Sequence, residues 1–225
     1  MSSSHVRLDA LVPLVRAELV AERRTGQAAG LVLPFAAAAL VVLAIAVGAD
    51  AALLRRIGPG LYWAVVILFG SLVTARPSVE SSTPHREMLA LLGVDPIASY
   101  LANTVAAAAM IGVLQAILAP VALVLFDLPL RALASTVAVA VLGSLALASI
   151  GTLAAELSRD QRIGASFIPL ITTPLAVPLA IAAVQVAEAE TYDGASLPWL
   201  LLVAAMAVVA LASGVLVARF TGGSA

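Results

Sequence analysis

Cysteine is absent from the 225 residues, which removes disulfides, thiolate metal sites and covalent haem attachment through C-x-x-C-H. Lysine is absent as well: all twelve basic residues are arginine. A P-loop needs the lysine of its G-K-[ST] to reach the β- and γ-phosphates, so this chain is not a P-loop ATPase. Any ATP it depends on must be hydrolysed by another subunit. Histidine is confined to His5 and His85, and only 11% of the residues are charged, with a net charge of −1. The remainder is 62% hydrophobic, with a mean hydropathy of +1.10, and no soluble domain has that balance. The length allows one membrane unit and no appended soluble domain. The N-terminal stretch carries charges through Arg24 without a small-residue cleavage pattern, so a cleaved signal peptide is not expected. Nor is a nucleic-acid partner.

Apolar runs long enough for a bilayer core of about 30 Å recur along the chain. Residues 6–24 place Leu8, Leu11, Val12, Val15 and Leu19 at helical spacing, which suggests an interfacial helix within 1–29 ahead of the membrane region 30–220. The alternative there is a frayed polar leader. Six spans are expected, at about 30–48, 58–75, 97–126, 132–155, 163–187 and 199–218, followed by a short tail, 221–225. Asp50 and Arg55-Arg56 read as a loop, and Gly58-Pro59-Gly60 as the entrance of the second span, with Tyr62 and Trp63 in the interfacial belt. Gly143, Ser144, Ala148, Ser149 and Gly151 in the fourth span allow close helix approach. Pro169, Pro174 and Pro178 predict a bent or broken fifth span. Arg7, Arg16, Arg23, Arg24, Arg76, Arg86, Arg159, Arg162 and Arg219 fall on one side, against Arg55, Arg56 and Arg131 on the other. The positive-inside rule then puts both termini in the cytoplasm. The fold class expected is all-α, a polytopic membrane protein comprising a single domain, 1–225.

One polar interruption, Arg76 to Pro96, carries its own start and stop signals. Thr83 can cap a helix opened by Pro84. Gly93 offers a left-handed stop, and Asp95-Pro96 reads as cap and first residue of the next span. Between them Met88, Leu89, Leu91 and Leu92 make an apolar face beside His85, Arg86 and Glu87. A short helix with defined ends, hung between two spans, suits a docking element for a soluble partner. The alternative is a polar loop lying on the headgroups.

No span interior, as delimited above, holds Asp, Glu, Arg or His. Such groups are expensive at depth and mark relays and catalytic centres, so a serine–histidine membrane protease, a zinc site on paired histidines and a carboxylate proton relay are all excluded. Histidine cannot ligate haem within those spans. Met110 and Met206 read as packing, and Gln115, Asn103 and Gln185 as helix–helix hydrogen-bonding groups rather than substrate contacts. Gly164-Ala-Ser-Phe-Ile168 lacks the second glycine of a nucleophile elbow. No catalytic residue, metal ligand or directly bound cofactor is expected.

Arg56-Ile-Gly-Pro-Gly-Leu-Tyr-Trp63 resembles the glycine–proline–tryptophan entrance of the CcmB family, haem-exporter permeases of bacterial cytochrome c maturation. Met88-Leu-Ala-Leu-Leu-Gly-Val-Asp-Pro96 with Tyr100-Leu-Ala-Asn103 is similar to that family's leucine-rich stretch, its turn and the start of its next helix. Leu118-Ala-Pro120 through Phe126-Asp-Leu-Pro129, Ile150-Gly-Thr-Leu153 and Phe167 through Pro174 with Val177-Pro178 follow in the family's order. The similarity runs from about residue 50 to 187. Two departures stand out: Glu80 to Glu87 lacks the family's glycine, and Asn103 stands where a lysine is common.

The resemblance implies a non-catalytic subunit of an ABC-type complex in the bacterial inner membrane. A cytoplasmic ATPase would dock on 76–96, with other cytochrome c maturation subunits and a haem chaperone beside it, and haem as the handled ligand. A homodimer is one arrangement that fits, a different second permease half another. The residues read as ATPase-coupling are Glu80, Thr83, Arg86, Glu87, Met88, Leu91 and Leu92, with Arg159 and Arg162 as a secondary contact. Those read as structural are Gly58, Pro59, Gly60, Trp63, Gly93, Asp95, Pro96, Pro169, Pro174 and Pro178. Two other readings stay open: an ABC-2-like permease for a lipid, drug or glycan, and a non-transporting scaffold.

Overall fold

The computed structural model describes Val15 and residues 32–48, 50–80, 95–126, 133–159, 167–192 and 194–222. Six helices account for nearly all of them: α1 (Leu33–Val47), α2 (Ala51–Glu80), α3 (Pro96–Phe126), α4 (Leu133–Arg159), α5 (Phe167–Thr191) and α6 (Leu197–Gly222). Helices α2 to α6 are long and apolar enough to cross a membrane; α1, with 15 residues, is shorter. Its first turn holds Pro34, and Val32 before it already has helical dihedrals without a side-chain cap. The expected N-terminal interfacial helix falls, apart from Val15, outside the described residues, as does the expected helix at 84–92.

Three helices, α2, α4 and α6, are longer than the apolar runs that announced them, and α5 ends four residues later than expected. Gly48, at φ +88°, turns the chain after α1, and Asp50 then caps α2, its Oδ1 accepting from the amides of Ala52 at 2.9 Å and Leu53 at 3.3 Å. Arg55 and Arg56 are therefore helical rather than in a loop. Gly58-Pro59-Gly60 lies two turns inside α2 and does not open it. Proline is tolerated within membrane helices because neighbouring groups can satisfy what it frees. At 30 residues, α2 spans about 45 Å.

At the other end of the polar stretch the expectation holds. Asp95 caps α3 through an Oδ1 bond from the Ile97 amide at 3.1 Å, and Pro96 is the first helical residue. The 31 residues of α3 run through Pro120, about 46 Å of helix, which a bilayer core of about 30 Å accommodates by tilt. The fifth span is neither split nor shortened by its prolines. Pro169 sits in the first turn of α5, where a missing amide proton removes no intrahelical bond, and Pro174 and Pro178 lie inside a continuous helix. Helix α4 carries on past the expected end of its span to Arg159, and α5 extends to Thr191, so Glu156, Glu188 and Glu190 are helical.

Helix α4 is the centre of the bundle, packing against α2, α3, α5 and α6, while α1 lies on α2 and α3. The sequence permits this because α4 offers notches. A Cβ on Gly143 would stand 2.5 Å from Cη2 of Trp63, so the indole lies directly on the α4 backbone. A Cβ on Gly151 would collide with Thr74 in the same way. These contacts put α2 parallel to α4. The pairs Gly58–Phe126 and Thr104–Thr152 put α3 antiparallel to both. Trp63, 4% exposed, is thus a core residue. Packed against the α4 backbone, it faces protein rather than the lipid boundary that the sequence reading gave it. Tyr62 meets it edge-on at 6.0 Å between ring centroids.

Candidate functional site

The polar stretch 81–94 joins the C-terminus of α2 to the N-terminus of α3, and the bundle beneath it is where its buried polar side chains concentrate. Ser71 and Thr74 on α2, Thr104 on α3, and Ser149, Thr152 and Glu156 on α4 are all buried. Several first satisfy themselves on their own helix. Thr74 Oγ1 donates to the Ser71 carbonyl at 2.9 Å, and Ser149 Oγ to the Leu145 carbonyl at 2.7 Å. Such back-bonding keeps a hydroxyl paired in an apolar surrounding. Others then tie helices together. The Thr104 and Thr152 hydroxyls are 3.0 Å apart. Tyr100 Oη donates to the Ser149 carbonyl at 3.4 Å.

Tyr100 is the anchor of this end. It is 2% exposed, one turn inside α3 from Asp95. Its ring also fills the space above Gly214 of α6, where any Cβ would fall inside it. One side chain therefore touches α4 by a hydrogen bond and α6 by close packing. Ile168 at the start of α5 packs with Ala154 and Ala155 of α4 in a small apolar cluster beside it, so four helices are joined within a turn or two of the polar stretch.

Glu156 is a residue the sequence reading missed. Taken as the first residue of a polar loop, it is instead helical and 9% exposed in the last turns of α4, at the end of the span rather than in its interior. The signal that could have found it was periodicity: Ala148, Thr152 and Glu156 follow at four-residue spacing, on one face.

A second polar group ties the middle of the bundle. Gln115 Nε2 donates to Ser144 Oγ at 2.9 Å and weakly to the Ala140 carbonyl at 3.4 Å, while Tyr62 Oη donates to the Gln115 carbonyl at 3.3 Å. Gln115 is the helix–helix hydrogen-bonding group the sequence suggested. Its Oε1 has no partner among the described residues. Gln185 instead lines a shallow apolar groove of about 290 Å³ between α2 and α5, with Gly60, Ala64, Ala180, Ile181 and Val184. Met110 and Met206 pack against the core, as expected. Among the described residues no group of three or more His, Asp or Glu stands together.

Of the coupling residues, Thr83, Arg86, Glu87, Met88, Leu91, Leu92 and Arg162 lie outside the described residues, together with the structural Gly93. Glu80 ends α2 and Arg159 ends α4. These helices run parallel, so the two residues terminate at the same end of the bundle. Gly58 packs on Phe126, a Cβ there standing 2.6 Å from that of Phe126.

The order of these elements can be set against known proteins. The profile of the CcmB protein family matches residues 9–223, nearly the whole chain. The chain belongs to the CcmB family. It is also similar to the heme exporter protein B of Haemophilus influenzae, with 28% identity over 151 residues, covering 67% of this chain and 68% of that protein. The family match extends beyond the segment 50–187 that carries the resemblance in sequence and takes in α1 and α6. Membership in the CcmB family thus applies to the bundle as a whole, including the α6 notch that receives Tyr100.

Proposed function

We propose that this chain is the membrane permease subunit of an ABC-type complex that serves haem export for cytochrome c maturation in the bacterial inner membrane. The observation that carries the reading is the family match over 9–223, joined to the geometry around 81–94. Two long helices leave that stretch and run unbroken into a bundle locked together at their near ends. In this reading α1 completes a sixth span and both termini face the cytoplasm, with Arg76, Arg159 and Arg219 on that side. The chain performs no catalysis and holds no cofactor of its own. A separate ATPase closes on nucleotide and pushes the segment at 84–92. Arg86 and Glu87 make polar contacts, and Met88, Leu91 and Leu92 fill a groove on the ATPase, as an amphipathic helix does. Neighbouring cytochrome c maturation subunits and a haem chaperone receive the motion at the outer face, for export of haem or release of the loaded chaperone.

The test is co-purification of the ATPase with the wild-type chain and with the triple variant Arg86→Ala/Glu87→Ala/Leu91→Ala. Loss of the ATPase while the variant stays in the membrane at normal level is the expected result. Undiminished binding would move the contact to the α4–α5 connection. No ATPase with the wild type would sink the ABC reading and leave a scaffold.

A further inference from the structure

Force applied at 81–94 reaches α2 and α3 directly, because those helices continue from it. From α2 it passes to α4 through Trp63 and Thr74, seated in the notches at Gly143 and Gly151, but α2 has at most slight contact with α6. Most helix contacts in this bundle are between alanine, valine and leucine, as on α6, where Val203, Ala207, Ala210 and Ala218 are the buried positions. Apolar surfaces of that kind are smooth, and one can slide past another without breaking a directional bond. The contact made by Tyr100 is different. A rigid ring is inserted into a notch where α6 has no side chain, and a side chain at Gly214 could not coexist with it. The same hydroxyl end that lies in the notch donates to the Ser149 carbonyl at 3.4 Å. One turn deeper on α3, the Thr104 and Thr152 hydroxyls meet at 3.0 Å. Close-packed interiors respond to such keyed contacts by moving as a body or by jumping between discrete arrangements.

We infer that Tyr100 is the residue that couples α3 to α6, so that a displacement imposed on the 81–94 segment is delivered to the far wall of the bundle. This rests on the coupling reading above and assigns the route by which the motion leaves α3. Tyr100 is a positioning residue here. Its burial, at 2% exposed, keeps it from touching the ATPase.

The experiment uses the intact complex with its ATPase. Because the chain has no cysteine, Ile181→Cys on α5 and Leu201→Cys on α6, both more than half exposed, supply its only thiols for spin labels. Their separation reads movement of α6 itself, whereas an α3–α6 separation would stay constant under rigid coupling. The inter-label distance is measured with and without nucleotide. A nucleotide-dependent shift is expected in the wild-type background. Tyr100→Ala is expected to cut it to less than half while the ATPase co-purifies at wild-type yield. Tyr100→Phe, which keeps the ring in the notch, is expected to retain most of it. Gly214→Ala attacks the same contact from α6, is expected to decouple like Tyr100→Ala, and carries the test if Tyr100→Ala fails to reach the membrane. A full shift in both Tyr100→Ala and Gly214→Ala overturns the inference while leaving ATPase docking intact. Absence of ATPase from the wild-type complex overturns the parent reading, and this inference with it.

Discussion

Replacing Gly143 by alanine tests the packing argument at a close contact whose partner, Trp63, is itself a fluorescent reporter. Alanine is favoured over glycine inside a helix by about 0.8–1.0 kcal/mol, so with free space the change would stabilise. At Gly143 there is none: the new methyl would lie 2.5 Å from Cη2 and 3.0 Å from Cζ3 of Trp63. The indole is 4% exposed and has no flexible end to swing aside. Overpacking of this kind costs about 1–3 kcal/mol, giving a net destabilisation between about zero and 2 kcal/mol. Gly112→Ala is the matched control, because its Cβ would meet nothing nearer than Ser144 Oγ at 3.9 Å. That variant is expected to gain up to about 1 kcal/mol, so the two alanines should differ by about 1–3 kcal/mol. The assay is thermal unfolding of the purified protein in detergent, followed by tryptophan fluorescence. The chain has two tryptophans, and a Trp199→Phe background leaves Trp63 as reporter. For a chain of this size each kcal/mol moves Tm by roughly 2–4 °C. Gly143→Ala should lower Tm or leave it unchanged, and Gly112→Ala should raise it. Combining Gly143→Ala with Trp63→Leu, with Trp199 retained as the reporter for that cycle, should recover part of the loss as a coupling energy of about 0.5–3 kcal/mol. Equal shifts for both alanines, or strict additivity with Trp63→Leu, would refute the placement of the indole on α4.

Two further outcomes follow from the hydrogen bonds. Gln115→Leu removes an amide whose Oε1 is buried without a partner among the described residues and should change stability by less than about 1 kcal/mol, whereas Ser144→Ala leaves a buried donor without its best acceptor and should cost more, about 1–3 kcal/mol; the pair of melting temperatures checks the order. Asp95→Ala should weaken the start of α3 by about 0.5–2 kcal/mol and Asp95→Asn far less, read as faster amide hydrogen exchange at Ile97 to Ser99 in the alanine variant alone.

What could be read from the sequence and what could not divides along a physical line. Signals that act locally were legible. Asp95-Pro96 marks the start of α3 because a carboxylate accepting an amide and a proline without one are both properties of the first turn. The small residues of α4 announced close approach because only a missing side chain admits a neighbouring backbone. Signals that depend on contrast between inside and outside were weak. On α3, Leu118 is fully buried and Val124 is 84% exposed, yet both are apolar, since lipid and protein interior ask for the same chemistry. Periodicity therefore could not choose faces, and helix ends had to be guessed from where charge begins. That guess failed in one direction. Arg55, Arg56, Glu156, Glu188 and Glu190 were assigned to loops because they are charged, whereas backbone hydrogen bonding favours continuing a helix into the headgroup region, where long side chains can reach water.

The same reasoning explains why Tyr100 was legible as part of a resemblance and illegible as a contact. The hydroxyls of Thr152 and Thr104 also approach it, but two of its partners are Gly214, which contributes no side chain, and Ser149, which contributes a carbonyl. Neither partner leaves a trace of residue chemistry pointing back to Tyr100, and they lie 114 and 49 positions along the chain. A contact built from a ring and two pieces of backbone can be recognised only once the helices are placed. It also constrains substitution in an asymmetric way. Tyr100 can lose its hydroxyl and still fill the notch, but Gly214 can gain nothing. The glycine should therefore be the more sensitive end of the pair, and Gly214→Ala the more damaging of the two smallest changes available, Gly214→Ala and Tyr100→Phe.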